Sequence, residues 1–361
     1  MRRWLHILFY AVMAMAFTNC DVHEFPRNSE EIVPLRLNLE FDTEMPLYKT
    51  ITYTRSGDNP ENQAKKSHDI RYIIKAYRTD NVVGENRRCD TTIILTKSDI
   101  STLDHSTTIE LREGKYTIRV WADYVDAGSK DDKYYDTSDF TEIALIDQYS
   151  HSGSNDYRDA FKGEVSVDVQ PRGGKDDSTI AIENEATIKM SRPMGKFVFI
   201  ATDGEEFINL IAQTQQQGTL SNIDGDKMSY EQLLQSIDIS QFHIVFRYNN
   251  FMPCSFNMFT NKSADSWTRV TFTSQMQSEG EEELILGYDY IFVGENGTSL
   301  SISIEVYSKD GELLSSSNPI NVPIARGELT VVKGEFLSPH TSTGGAAINP
   351  GYEGEDYNIH I

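Results

Sequence analysis

The chain contains few cysteines and no second apolar run of membrane-spanning length. Only Cys20, Cys89 and Cys254 occur in 361 residues, which excludes a disulfide-stapled scaffold. Cys89 and Cys254 could pair in an oxidising compartment or remain two free thiols. Beyond residue 20, no stretch approaches the roughly 20 apolar residues that a transmembrane helix needs.

Basic residues are also scarce. The chain has 33 Lys and Arg against 55 Asp and Glu, which gives a formal net charge of −22. Binding to nucleic acid depends on neutralising phosphates with Lys and Arg. The sequence therefore excludes nucleic acid as a partner, and the acidic surface favours solubility and discourages random association.

The usual catalytic and metal-binding motifs are missing from the sequence. There is no G-x-S-x-G, no G-x-x-x-x-G-K-[ST], no H-E-x-x-H and no C-x-x-C, and no two histidines have ligand spacing. Asp131, Asp132, Asp136 and Asp139 are grouped within a few residues, and calcium is the alternative interpretation of that group. In so acidic a chain such groups arise by chance, so we predict no catalytic residue, no metal site and no cofactor.

The N-terminus has the pattern of a lipoprotein signal. Arg2 and Arg3 precede an apolar run from Trp4 to Phe17, and Cys20 follows shortly after. A charged start, a short apolar segment and an early break are typical of a secretory signal. We predict a signal over residues 1–19, a lipid on Cys20 and a tether over 20–31. Asn19 departs from the small residue usual at that position, and an ordinary signal with an incidental cysteine is the alternative.

The remainder of the chain has the pattern of successive β-strands. Apolar residues alternate with polar ones in the first segment, as in a strand with one face buried; they are Val33, Leu35, Leu37, Leu39 and Phe41. Further strands follow at short intervals, with Asp310-Gly311 as a hairpin turn. Asp203 with Glu206 and Ser229 with Gln232 predict two short helices. This pattern favours β-sandwiches, with one domain over 32–182 and another over 183–361.

The segment Asp126–Phe140 is acidic and is predicted to be a surface loop. It contains Tyr134 and Tyr135. These rings either stack on sugar rings or pack against the sandwich.

Five segments resemble the fimbrillin-type surface lipoproteins of Bacteroides-like bacteria, a group of pilus shaft, tip and lipid-anchored base subunits. The resemblance depends on their order along the chain, because each is weak alone. The segments are residues 20–26, residues 114–125, residues 157–163, residues 191–199, and the C-terminal stretch that combines 322–326, 332–337 and 348–354.

The resemblance implies an all-β chain of two tandem transthyretin-like Greek-key β-sandwiches, with a few short helices in the second. It also implies assembly by β-strand donation, in which one subunit completes the sheet of another. In polymerising relatives a protease cuts behind the first strand, and Arg55, Lys65 or Lys66 would be the matching position here, with Arg55 as the candidate. Anchoring relatives keep that strand and their lipid.

The resemblance further implies that the partners are other fimbrial subunits and the outer membrane, with the chain exposed at the cell surface. The terminal segment containing Tyr357, Ile359 and Ile361 is either a donated strand or the last strand of its own sheet. A non-polymerising surface lipoprotein that binds glycans or host ligands is the alternative function.

Overall fold

The computed structural model describes residues 31–42, 68–79, 89–170, 184–216, 230–278, 283–338, 347–348 and 357–360. The strands up to residue 190 are β1 Ile32–Phe41, β2 His68–Arg78, β3 Cys89–Lys97, β4 His105–Arg112, β5 Gly114–Asp126, β6 Tyr135–Asp136, β7 Ile143–Leu145, β8 Ala160–Val169 and β9 Asn184–Met190. A 3₁₀ turn, Asp156–Arg158, precedes β8.

Fifteen further strands follow in the described residues. They are β10 Met194–Ala201, β11 His243–Tyr248, β12 Phe251–Pro253, β13 Ser255–Asn257, β14 Lys262–Ser263, β15 Ser266–Thr268, β16 Thr271–Gln275, β17 Gln277–Ser278, β18 Leu284–Phe292, β19 Thr298–Tyr307, β20 Leu313–Ser316, β21 Ile320–Ile324, β22 Leu329–Gly334, β23 Ala347–Ile348 and β24 Tyr357–His360. Helices α1 Gly204–Gln216 and α2 Tyr230–Ser236 lie between β10 and β11. The prediction of an all-β sandwich fold with short helices in its second half is confirmed.

The first core lies between a three-stranded and a four-stranded sheet. The strand orders are β4-β1-β9 and β3-β2-β5-β8. Aliphatic residues from both sheets form one buried cluster, including Leu37, Ile109 and Ile188 from one sheet and Ile74 and Ile118 from the other. Each strand of a sheet presents alternate residues to one face, so the period-two pattern of the sequence becomes this core.

The second core lies between two larger sheets. One has the order β16-β11-β19-β20, with β21 also paired to β19, and the other has the order β17-β18-β10-β22-β24-β23. Aromatic rings fill much of the space, and Phe246 stacks on Phe272 with ring centroids 4.6 Å apart. Gly311, at φ +82°, turns the chain between β19 and β20, as the Asp-Gly pair predicts.

The segment 126–145 joins the two cores. Strands β6 and β7 form a small sheet with β13 and β14 of the second half. Tyr135 and Phe140 are 0% and 1% exposed and belong to the same buried cluster as Phe197 and Phe246. The prediction of a surface loop over Asp126–Phe140 is therefore wrong for these side chains. Their apolar surface is buried against the second half of the chain.

Strand β9 lies beyond the predicted domain boundary near residue 182 but packs with the first half. It pairs in parallel with β1, and Ile188 and Met190 belong to the first core. The first core therefore extends to Met190. The division into domains over 32–182 and 183–361 stays a proposal.

Asp203 precedes α1, as the capping pattern predicts, but its carboxylate has another role. It accepts hydrogen bonds from the backbone N–H groups of Phe336, Leu337 and Ser338, at 3.1, 2.9 and 2.6 Å. The side chain thus fixes the chain that leaves β22. In the described residues neither helix has both the length and the apolar character needed to cross a bilayer.

Candidate functional site: the first strand and its groove

Strand β1 is the central strand of its sheet, although it is the first strand of the described chain. It pairs antiparallel with β4 from Ile32 to Leu39. On its other edge it pairs in parallel with β9 from Leu35 to Phe41. We call the space that β1 fills between β4 and β9 the β1 groove.

The inward face of β1 is buried almost completely. Val33, Leu35, Leu37 and Leu39 are 1%, 1%, 0% and 1% exposed. Full burial of an aliphatic side chain contributes about 1.5–3 kcal/mol, so these four contribute about 6–12 kcal/mol together. Phe41 is half-buried, with its ring 5.0 Å from Phe161 and 6.1 Å from Tyr72 between centroids. The five residues predicted for this strand therefore line one continuous apolar face.

The outward face of β1 is tied to both neighbouring strands. Asn38 donates its Nδ2–H to Glu185 Oε1 of β9 at 2.6 Å and accepts from Ser106 Oγ of β4 at 2.8 Å. Arg36 lies 3.7 Å from the same Glu185. These contacts link three strands at one level of the sheet, so they favour a single register of β1.

Pro34 sits where a central strand can tolerate it. Proline has no N–H to give to a neighbouring strand and is usually confined to edges. At Pro34 only β4 lies alongside, because the pairing with β9 begins at Leu35. The residue without an N–H therefore lies where β1 has a neighbouring strand on one edge only.

The β1 groove has the geometry of a binding site for an extended strand. Without β1, the facing edges of β4 and β9 would both carry unpaired N–H and C=O groups, and the apolar floor would be open to water. Both are costly, which favours refilling by another strand.

Several predicted site residues lie outside the described residues. These are the lipidation residue Cys20, the candidate processing residue Arg55, and Ile361. Tyr357 and Ile359 lie in β24, which pairs in parallel with β22 and antiparallel with β23 in the second half's sheet. The structure therefore places β24 in its own chain's sheet, apart from β1.

The aromatic and acidic residues of the segment 126–140 are engaged in internal contacts. Tyr135 donates its hydroxyl hydrogen to the Arg158 carbonyl, and Tyr134 hydrogen-bonds to His68 Nε2 at 3.0 Å. Asp132 lies 2.8 Å from the buried Arg71 and accepts from Thr137. The packing interpretation of the two tyrosines is confirmed.

No group of three or more His, Cys, Asp or Glu side chains in the described part of the chain is placed to hold a metal ion. Cys89 and Cys254 are both free thiols. Burial raises the pKa of Cys254 to about 12, so this thiol stays protonated at neutral pH.

The residues of the β1 groove that sequence patterns did not assign are the partners of β1 on β9. Glu185, Ile188 and Met190 of β9 line the groove, yet they follow a long polar break in the sequence. Their alternation predicts a strand. Nothing in the sequence shows that this strand pairs with one nearly 150 residues earlier, as the Asn38–Glu185 bond does across 147 positions.

Residues 29–361 match the model of a family described as a family of unknown function, DUF6562. The chain belongs to this family. A comparison of the sequence with curated proteins finds no match. The family match begins just before β1 and extends to the last residue, so both cores lie within it.

Solved structures of proteins from Porphyromonas and Bacteroides species show similarity at low sequence identity. The fimbrial anchor protein Mfa2 from Porphyromonas gingivalis is 11% identical, with a TM-score of 0.37, over 79% of this chain and 82% of that one. A candidate cell adhesion protein from Bacteroides eggerthii is 13% identical, with a TM-score of 0.39, over 91% and 97%. A candidate polysaccharide-binding protein from Bacteroides thetaiotaomicron is 14% identical, with a TM-score of 0.38, over 79% and 80%.

Proposed function

We propose that this member of the DUF6562 family is a structural subunit of bacterial surface fimbriae. A lipid on Cys20 holds it to the outer membrane, and β-strand donation joins it to other subunits, in support of adhesion. Among base, tip and accessory roles we favour a base anchor or accessory subunit that keeps its first strand. The chain acts by binding, without catalysis.

The main support for this proposal is the position of β1 in its sheet. The first strand of the described residues is the central one of its sheet, with β4 and β9 on its two edges. A chain that kept β1 would have a filled groove and an N-terminus held close to the lipid. A chain cut after Arg55, Lys65 or Lys66 would release β1 and open the groove to another subunit's strand.

A lipid with more than one acyl chain on Cys20 would attach the protein permanently to the outer membrane. Each buried methylene of an acyl chain contributes about 0.8 kcal/mol, and stable anchoring takes more than one chain or a second attachment. The tether over residues 20–31 would separate the lipid from β1.

Cross-linking of native cells tests the fimbrial role. Cells are treated with an amine-reactive cross-linker, filaments are sheared off, and the chain is captured by antibody from the filament and outer-membrane fractions. We expect mass spectrometry to find it cross-linked to other surface subunits. Recovery of the chain without any cross-linked partner in both fractions, while other fimbrial subunits in the same sample are cross-linked, would overturn the proposal and favour a solitary surface lipoprotein.

A further inference from the structure

The stretch between β7 and β8, residues 146–159, is held against the second half by buried polar groups; we call it the crossing segment. Its His151 and Arg158 both contact the carboxylate of Asp289 on β18, and all three side chains are at most 3% exposed. The backbone N–H of Ser154 also donates to the carbonyl of Tyr288 at 2.7 Å. One buried carboxylate of the second half therefore fixes two side chains of the crossing segment.

The contacts of His151 place its hydrogen on Nε2. This nitrogen lies 2.6 Å from Asp289 Oδ2, and an ionised carboxylate can only accept a hydrogen bond. Nε2 therefore donates, and a further proton would have to bind Nδ1. Because Arg158 Nη1 lies 3.1 Å from the same Nε2, a protonated ring would place a second cation beside the guanidinium.

Three titratable or charged groups face the His151 ring. They are Arg158 of the crossing segment, Asp289 of β18 and Tyr248 of β11. Tyr248 donates its hydroxyl hydrogen to Asp289 Oδ2 at 2.6 Å, and its ring lies 6.2 Å from His151 between centroids. Strand β16 contributes the apolar ring of Phe272 at 5.9 Å. The guanidinium and the carboxylate balance each other, so a protonated His151 would have no counter-charge in this cluster.

The environment of His151 favours its neutral form. Burial lowers the pKa of His151; Asp289 opposes this, and Arg158 adds to it. A ring detached into water has a pKa of about 6.5, so the detached state binds the proton more tightly. Acid therefore favours detachment as the pH falls through about 6.5. Arg158 and His151 hold the pKa of Asp289 below its ordinary value, so this carboxylate stays ionised in the same range.

We propose that the crossing segment is an acid-released latch between the two halves, opened by a proton on His151. Detachment breaks the contacts of His151 and Arg158 with Asp289. The pairing of β7 with β13 joins no titratable side chains, so it keeps the halves connected while the segment opens. This device goes beyond the proposed fimbrial role and does not depend on it.

Hydrogen exchange of the full mature protein at pH 7 and pH 5, corrected for the intrinsic effect of pH on exchange, tests the latch. The hydrogen-bonded amides of Ser154, Arg158 and Asp159 report opening of the crossing segment, and residues 114–125 of β5 are the internal reference. We expect the ratio of open to closed segment to rise about tenfold to thirtyfold at pH 5, since a histidine of pKa 6.5 is then about thirtyfold more protonated than neutral. An unchanged ratio, or an equal rise in the reference strand, would overturn the proposal.

Variants assign the acid response to one side chain. In His151→Gln the amide can still donate to Asp289 but takes up no proton, so we expect the rise at pH 5 to fall below about threefold. His243→Gln, at an exposed position of β11, should keep the wild-type response. Two other titratable groups adjoin the segment, His68 stacked on one of its tyrosines and Asp159 within it. A full acid response in His151→Gln would assign release to one of these and contradict the proposal.

Discussion

Leu37→Asp is expected to unfold the first core. Leu37 is 0% exposed at the middle of β1, with β4 on one side and β9 on the other. Truncation of a buried leucine costs about 2–5 kcal/mol, and a buried carboxylate without a partner adds a further desolvation cost. Since whole domains are stable by only about 5–15 kcal/mol, this single change removes most or all of the stability of the first core. Urea unfolding followed by circular dichroism measures it.

Ile32→Asp is the matched control for Leu37→Asp. It makes the same kind of replacement in the same strand, but Ile32 is 62% exposed. Surface substitutions of this kind change stability by about 0.5 kcal/mol or less. If Leu37→Asp unfolds at the same urea concentration as wild type, β1 is not part of the folded core, and the groove described here does not exist in solution.

Asp289→Asn is expected to cost about 3–5 kcal/mol, the usual penalty for removing one partner of a buried ion pair. Asp289 of β18 is 1% exposed, and Arg158 of the 3₁₀ turn before β8 is 2% exposed and paired with it. The same carboxylate accepts from His151 Nε2 and Tyr248 Oη, each at 2.6 Å. The amide would leave the guanidinium charge buried and uncompensated at the junction of the two halves.

Glu305→Gln provides the comparison for Asp289→Asn, because Glu305 also pairs with an arginine on a strand of the second core. Glu305 and Arg247 are 24% and 46% exposed, and solvent-exposed pairs contribute about 0–1 kcal/mol. Equal destabilisation by the two amide variants in urea unfolding would contradict a special role for Asp289 at the junction.

The loss of unfolding free energy caused by Asp289→Asn should depend on pH in a defined direction. Burial alone would raise the pKa of Asp289, but Arg158 and His151 outweigh burial and hold the pKa below its ordinary value. A carboxyl group with a depressed folded-state pKa contributes stability above its unfolded-state pKa of about 3.9 and loses it as the pH falls through the folded-state value. The difference in free energy of unfolding between wild type and Asp289→Asn should therefore persist from neutral to mildly acidic pH. It should shrink only below about pH 3.9.

The first strand was predictable because the residues that define it are close together in the sequence. Alternation of four aliphatic residues from Val33 to Leu39 fixes both the strand and its buried face, and the structure differs from the prediction only at the strand's first residue. The hairpin at Asp310-Gly311 was predictable for the same reason, since the turn requires a residue that adopts positive φ. Such features depend on neighbours within a few positions.

The residues that pattern reasoning misassigned depend on contacts between distant segments. Tyr135 and Phe140 lie in an acidic stretch with no regular period, and they are buried only because the second half covers them. Asp203 has the sequence context of a helix cap, yet its carboxylate binds backbone more than 130 residues later. The parallel partner of β1 is likewise set by the tertiary fold, because parallel pairing needs a long connection that leaves no local signal.

The measurement that tests the central claim most directly is the intact mass and N-terminal peptide of the native protein, purified from the outer-membrane fraction. We predict an acylated Cys20 with residues 32–41 still attached, as expected of a lipid-anchored subunit that retains β1 in its own groove. A new N-terminus after Arg55, Lys65 or Lys66 would contradict this, because the chain would then have lost both its lipid and its first strand.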